Sequence, residues 1–270
     1  MGEKPMDWSR TKIVFIVIFL VLDVFLFVQY HQKQRSIQFE YLTHAPMEAE
    51  STISKENLEK LPQDSETLTY VSATPKIFNR SDLSKLSTSN QNLRIVSKNI
   101  LRSTLKKPYS SLKINDIGSM KSFMSQYVFH ASQYEFWSYE KNSNKIIFIQ
   151  TYEGYPIYNN QFGRVEILLN DAKEVIGYLQ TMLVDITFIG DEEKQPVVLS
   201  ALEALKIIGE KNVELETISI SDVKIGYYTY VPLTGTQVFT PTWYFKFNNG
   251  HSYFVNAIEG QIINDHLQLE

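Results

Sequence analysis

The middle of the chain contains four short runs typical of β-strands: Tyr134-Glu-Phe-Trp-Ser-Tyr-Glu140, Lys145-Ile-Ile-Phe-Ile-Gln-Thr-Tyr152, Pro156-Ile-Tyr-Asn-Asn-Gln-Phe162 and Val165-Glu-Ile-Leu-Leu169. The runs are rich in β-branched and aromatic residues. Turn signals accompany them at Asn142-Ser-Asn144 and Asn170-Asp-Ala-Lys173. Strands joined by such short turns predict antiparallel sheets.

Helices and further strands extend this pattern. Apolar residues recur at helical spacing from Ile117 to Val128, and Asp116 is a suitable N-cap. Ser200 and Glu203 have the spacing of a capping box, which predicts a helix that continues to Lys211. Further strands are predicted over Val175–Ile189 (one bent strand or two), Ile218–Val231, Thr242–Phe247, Ser252–Ala257 and Gln261–Ile263. The predicted fold class is α+β, with antiparallel sheets and a few packed helices.

The region before this pattern is less regular. A short helix is predicted over Ile53–Leu61, where Pro62 stops it, and a strand over Leu68–Ala73. Residues 79–92 are expected to form a loop with one helical turn, and Leu93–Leu105 has no clear type.

Two segments of the chain are weakly similar to each other in sequence. Gly163–Asn170 loosely parallels Gly250–Asn256, and each half has a helix followed by strands. The match raises the hypothesis of two similar lobes, 53–190 and 191–270.

The amino-terminal part contains an apolar run long enough to cross a membrane. Ile13–Val28 has one charged residue, and Ile13–Tyr30 would extend over about 27 Å as a helix. A cleaved signal peptide is the alternative, but its shorter apolar region would end at a small-x-small site. Val28-Gln-Tyr-His-Gln-Lys33 contains no small residue. We therefore predict an uncleaved transmembrane helix over 13–30.

Basic residues indicate the orientation of this span. Three precede it and two follow it closely: Lys4, Arg10, Lys12, then Lys33 and Arg35. The positive-inside rule places a short leader, 1–12, in the cytoplasm. A polar linker is predicted over 31–52 and an extracytoplasmic region over 53–270. The expected location is the cell membrane, with a single pass.

One ionisable residue, Asp23, lies slightly past the middle of the span. Such a group costs about 2.5–3.5 kcal/mol on insertion scales, unless it is protonated, paired or turned away from lipid. Phe19, Asp23, Leu26 and Tyr30 fall on one stripe of the helix. We interpret this stripe as a helix–helix contact surface within the membrane. The alternative is a tolerated single carboxylic acid in a very hydrophobic segment.

Composition and missing motifs argue against several classes of function. The 26 Lys+Arg residues face 30 Asp+Glu, a net charge of −4, so nothing favours nucleic-acid binding. The absence of Cys rules out disulfides, thiol catalysis and thiolate zinc sites. The P-loop, Gly-x-Ser-x-Gly and His-Glu-x-x-His motifs are absent. We expect no enzymatic activity, no cofactor and no metal.

Aromatic residues are abundant, with 16 Tyr, 16 Phe and 3 Trp. Many lie in three blocks, Tyr134–Tyr139, Tyr227–Tyr230 and Trp243–Phe247. Core and cross-strand packing is one interpretation of these blocks, and an exposed aromatic binding surface is the other.

Three parts of the chain follow the pattern of a known family: Met6-Asp-Trp-Ser-Arg-Thr-Lys12, then Phe148–Tyr158 with Gly163–Gln180, and Trp243–Ile263 with its Asn-Ala-x-x-Gly turn. They resemble the YycI (WalI) family, regulators of the essential YycFG (WalKR) two-component system of low-GC Gram-positive bacteria. The last part also has a PepSY-like look. The family pattern begins at Met6, so Met1–Pro5 represent an early start or a small extension.

The resemblance implies a single-pass, non-enzymatic regulator with an α+β outer region, similar in fold to the carboxy-terminal part of the sister protein YycH. It implies two protein partners, a membrane sensor histidine kinase (YycG/WalK-like) and a sister single-pass regulator (YycH-like), besides the lipid bilayer. The function hypothesis is that the protein modulates two-component signalling in cell-wall homeostasis, partly through transmembrane helix contacts.

Two other functions are kept as alternatives. One is a membrane-anchored, PepSY-like binder of an extracytoplasmic peptide, wall component or protease, which a concave aromatic pocket would favour. The other is a wall-active hydrolase, which needs two facing carboxylates in a cleft.

Overall fold

A long first helix and a sheet-rich region belong to different compact units of the chain, Met1–Ile53 and Ser54–Glu270. The computed structural model describes residues 8–43, 53–62, 68–86, 89–190, 196–210 and 215–263. Helix α1 extends from Trp8 to Thr43, beyond the span predicted at 13–30 on both sides. The linker predicted over 31–52 is thus helical as far as Thr43, because Gln, Lys, Arg and Glu are good helix formers. Residues 1–7 of the leader and 44–52 of the linker lie outside the described residues.

The second unit is α+β, which confirms the predicted fold class. Its described helices are α2 (Lys55–Glu59), α3 (Arg80–Ser84), α4 (Ile117–Tyr127) and α5 (Ala201–Gly209), with a 3-10 turn at Ala131–Gln133. Its described strands are β1 (Val71–Pro75), β2 (Gln91–Ser97), β3 (Ile100–Tyr109), β4 (Tyr134–Glu140), β5 (Lys145–Tyr152), β6 (Tyr155–Tyr158), β7 (Arg164–Leu169), β8 (Val175–Gln180), β9 (Leu183–Phe188), β10 (Ile220–Tyr228), β11 (Gln237–Phe247), β12 (Ser252–Asn256) and β13 (Ile262–Ile263).

The strands form one hydrogen-bonded sheet in the order β13-β12-β11-β10-β6-β5-β7-β8-β3-β2. Strand β4 pairs with β5, and β1 pairs with both β9 and β11. The pairs are antiparallel except β6 with β10, where Ile157 lies opposite Tyr227. The two lobes stay a prediction, and β6–β10 and β1–β11 are strand pairs that link the corresponding ranges.

Both predicted caps are present in the structure. The Asp116 side chain accepts a hydrogen bond from the Gly118 N–H at 2.9 Å, at the start of α4. Ser200 and Glu203 form the capping box of α5. This helix ends at Gly209, and Lys211, its predicted end, lies outside the described residues.

The strand boundaries differ from prediction where backbone conformation or distant pairing decides them. Val175–Ile189 contains two strands, β8 and β9. The run from Pro156 stops at Tyr158, because Asn159 adopts a left-handed conformation with φ of 44°. The segment without a clear type, Leu93–Leu105, belongs to the β2–β3 hairpin, and β3 also pairs with β8.

Strand β5 is buried on both faces. Phe148 contributes to a core with Phe123 of α4 and Tyr178 of β8. Ile147, its neighbour in sequence, points to the opposite face and joins a second core with Tyr244. The near-continuous apolar sequence of β5 follows from this double burial.

Candidate functional site

The predicted stripe lies on one uninterrupted helix. At 3.6 residues per turn, Phe19, Asp23, Leu26 and Tyr30 fall within an arc of about 60°. The side chains of Phe19, Asp23 and Leu26 are exposed. Tyr30 is helical, and its side chain lies outside the described residues. Helix geometry alone therefore brings these positions to one side.

The surroundings of the stripe are apolar on every side of α1. Each side chain from Lys12 to Gln29 is exposed, and this segment is long and apolar enough to cross a membrane. An exposed helix that is apolar all round requires an apolar environment. The helix therefore suggests single-pass membrane anchoring.

Asp23 is the one ionisable group between Ile13 and Val28. A carboxylic acid within a bilayer can donate or accept a hydrogen bond with a polar group of another helix. Such contacts are worth up to about 1–2 kcal/mol. A hydrogen bond from Asp23 to another helix would therefore change the free energy of helix association by a modest amount.

In the second unit, aromatic rings form a buried cluster between strands distant in sequence. Ring centroids are 4.9 Å apart for Trp137 and Tyr244, 5.2 Å for Tyr158 and Phe254, and 5.0 Å for Tyr244 and Phe254. Burial, with a contribution from nearby Asp222, raises the pKa of Tyr244 to about 12, so its phenol stays neutral at physiological pH. The interpretation of these blocks as core is confirmed, although Tyr230 is 53% exposed.

A carboxylate lies at the margin of this cluster. Glu135 Oε1 is buried without a hydrogen-bond partner among the described residues, and Lys224 Nζ is 3.8 Å away. Burial raises the pKa of Glu135, and Asp222 raises it further, whereas Lys224 and Lys121 lower it. The charged form of Glu135 is therefore less favourable than that of a solvated carboxylate.

A groove of about 490 Å³ follows the end of β5 and the start of β9. Gln150 ties these strands together, since its amide oxygen accepts from Leu183 N–H at 2.7 Å and its Nε2 donates to Leu183 O at 2.8 Å. Among its described lining residues, Tyr152 is the sole aromatic. Two exposed carboxylates, Glu153 and Asp185, also line it. The groove thus combines polar and aliphatic side chains and lacks the aromatic wall expected of a PepSY-like pocket.

Within the residues described, no group of three or more His, Cys, Asp or Glu side chains is arranged to hold a metal ion. The expectations of no metal, no cofactor and no enzymatic activity remain predictions.

Sequence reasoning did not single out Glu135, or Arg94 and Arg102 in the β2–β3 hairpin. Their arrangement depends on strand register and on packing between distant segments. The alternation of exposed and buried residues along β3 indicates a strand, but it does not indicate which strand pairs with β3.

Comparisons with known proteins add a family to this geometry. The family model described as YycI protein matches residues 40–258. Solved structures similar to the chain include an uncharacterized protein from Eubacterium rectale ATCC 33656, with 10% identity, 74% of this chain and 86% of that chain covered and a TM-score of 0.43. The YpeB C-terminal domain of Bacillus megaterium is 11% identical, and the match covers 70% of this chain and 98% of that chain with a TM-score of 0.38. YycH from Bacillus subtilis is 12% identical, and the match covers 75% of this chain and 52% of that chain with a TM-score of 0.38. No curated protein sequence matches significantly.

Proposed function

The chain belongs to the YycI family, and on that premise we propose that it is a non-enzymatic, membrane-anchored regulator of a two-component system of the YycFG type. The observation that carries the proposal is the family match over residues 40–258. An exposed apolar helix before an ordered α+β unit suits a protein that works by contact at the membrane.

In this proposal the leader, 1–12, lies in the cytoplasm, residues 13–30 cross the bilayer and the region 53–270 is extracytoplasmic. The basic residues before the span support this orientation through the positive-inside rule. The α1 helix continues beyond Tyr30 to Thr43, so in this proposal it extends past the hydrocarbon region.

The partners in this proposal are a membrane sensor histidine kinase of the YycG/WalK type and a sister single-pass regulator of the YycH type. The stripe of Phe19, Asp23, Leu26 and Tyr30 packs against their membrane helices. A regulator shifts a kinase between signalling states only by contacting the two states differently. Asp23 supplies such a difference when its hydrogen-bond partner is available in one state and not in the other.

The test is recovery of the full-length protein from its native membrane in mild detergent, with the kinase measured in the same eluate. Asp23→Leu is expected to lower kinase recovery about 5- to 30-fold, which corresponds to about 1–2 kcal/mol of interhelical hydrogen bonding. Transcriptional output of the two-component system should change with it. Val21→Leu, on the opposite side of α1, is the matched control and should leave both unchanged.

Two results would count against the proposal at different levels. Unchanged kinase recovery and output in Asp23→Leu would reject the role of the stripe. Recovery of a wall enzyme or peptidase without a kinase would favour the extracytoplasmic binder instead.

A further inference from the structure

One face of the outer sheet carries several basic side chains. Arg94 of β2 lies opposite Arg102 of β3, Arg102 lies opposite Leu179 of β8, and Leu179 lies opposite Glu166 of β7. Residues directly opposite each other share a face of the sheet. We call the surface formed by Arg94, Arg102, Arg164 and Lys145 the basic face.

The two arginines of the β2–β3 hairpin have no anionic partner in the residues that the structure describes. Both are exposed, and no described carboxylate forms an ion pair with either. Like charges directly opposite on neighbouring strands are destabilising, because their side chains are about 5 Å apart at Cβ. The hairpin therefore carries an uncompensated charge pair.

Glu166, the carboxylate nearest to Arg102 along the strand pairs, already has partners. Glu166 lies 2.9 Å from Lys145 Nζ and 2.5 Å from Arg164 Nη2, and its side chain is 10% exposed. Arg102 is two strands away from it, about 10 Å at the usual strand spacing. Among the described residues, Arg94 and Arg102 thus keep their charges without an ion pair, in a chain whose net charge is −4.

The arginine pair lies beside an open strand. Strand β2 pairs with β3 and ends the sheet order, so its other side is an edge of the sheet formed by the described strands. Val96, which lies at the irregularity in register between Ile95 and Ser97, is 59% exposed. An edge of this kind can accept a further strand through backbone hydrogen bonds.

We propose that the edge of β2, together with the basic face, docks an acidic, extended segment of a partner protein that adds to the sheet as a strand. Guanidinium groups bind carboxylates in a bidentate manner, and the edge supplies backbone pairing. A second copy of this chain does not fit, since it would bring two basic faces together. An anionic wall polymer or lipid surface would use the charge but neither the edge nor Val96. The inference goes beyond the proposed helix contact and does not depend on it.

The experiment is site-specific photo-crosslinking of the full-length protein in its native membrane. A benzophenone amino acid replaces Val96, and the same amino acid at Ile117 of α4, which is 53% exposed, is the matched control. We expect a protein adduct from position 96, with its crosslinked peptide rich in Asp and Glu. Arg94→Glu with Arg102→Glu should reduce the adduct at least tenfold, whereas Lys113→Glu with Lys141→Glu, an equal change of charge on exposed lysines, should not.

Several results would overturn the inference. These are no adduct above that of position 117, an adduct that persists in the arginine variant, or an adduct of phosphate polymer or lipid in place of a peptide. Near-UV circular dichroism verifies the fold of each variant. If the Glu variant is unfolded, Arg94→Gln with Arg102→Gln replaces it and the same loss is required.

Discussion

Gly226 of β10 lies so close to the carbonyl oxygen of Pro156 of β6 that no Cβ atom fits between them. The Tyr158 ring also borders this space. The contact is at the parallel β6–β10 pair, which links ranges predicted as separate lobes. A glycine is required here because the two backbones approach each other closely.

Replacing Gly226 by Ala should lower the free energy of unfolding by about 1–3 kcal/mol, since the methyl group must displace backbone in a packed region. Denaturant unfolding of the full-length protein in detergent, followed by tryptophan fluorescence, measures the change. Gly235→Ala is the control, because nothing lies within 4 Å of the added methyl group. Equal stability of Gly226→Ala and Gly235→Ala would show that β6 and β10 can move apart without a loss in the free energy of unfolding.

Asn57 connects α2 to the start of β10. Its Nδ2 donates to Leu215 O at 3.0 Å and Ile218 O at 2.8 Å, and its Oδ1 accepts from Ile220 N–H at 2.7 Å. Asn57→Ala leaves buried polar groups without partners, so we expect a loss of about 3 kcal/mol. The exposed Asn115→Ala should change stability by less than about 0.5 kcal/mol in the same unfolding assay. A loss below 1 kcal/mol for Asn57→Ala would indicate that water replaces the amide.

Glu135 should make stability depend on pH in a definite direction. Burial is the main cause that raises its pKa above the ordinary value of a glutamate, so the folded state binds the proton more tightly than the unfolded state. Stability contributed by Glu135 is therefore greatest below the unfolded pKa and falls as pH rises through the folded pKa. Glu135→Gln should raise the melting temperature at pH 7, and this gain should vanish below about pH 4.5.

The exposed Glu216→Gln, which also removes one negative charge, is the control for the pH series. A gain for Glu135→Gln that stays constant from pH 7 to pH 4 would show that ionisation of this carboxyl is not the cause.

Arg94→Gln should stabilise the second unit, because it removes a like-charge pair with Arg102. The expected gain in the free energy of unfolding is about 0.2–1 kcal/mol and should shrink at high salt. Lys141→Gln, which removes an exposed charge from a turn, should have no comparable effect. A loss of stability in Arg94→Gln would mean that the arginine has a stabilising partner within the chain.

Exchange of residues 13–30 for an unrelated apolar span of equal length separates the proposed function from its alternative. The regulator proposal predicts that control of the kinase is lost while the second unit keeps its melting temperature. Transcriptional output in cells and near-UV circular dichroism of the purified protein measure the two quantities. Retained control would favour an extracytoplasmic binder, for which any anchor suffices.

Local patterns predicted much of the fold. The bounds of β4 and β5 agree with the runs Tyr134–Glu140 and Lys145–Tyr152, and both helix caps were identified from residue spacing. These features depend on residues a few positions apart, so the sequence displays them directly. The stripe on α1 is predictable for the same reason, although its partners stay a proposal.

Residue patterns along the chain were sufficient to infer an apolar span with one carboxylic acid, followed by an α+β region. Both conclusions rest on periodicity and capping, which act within one element. The tertiary structure alone decided that β6 pairs with β10 in parallel, that Lys224 lies near Glu135 and that Arg94 opposes Arg102 on an edge. These relations depend on strand register and on packing between distant segments. No local pattern specifies them, because the backbone of one strand can form hydrogen bonds with many different partner strands.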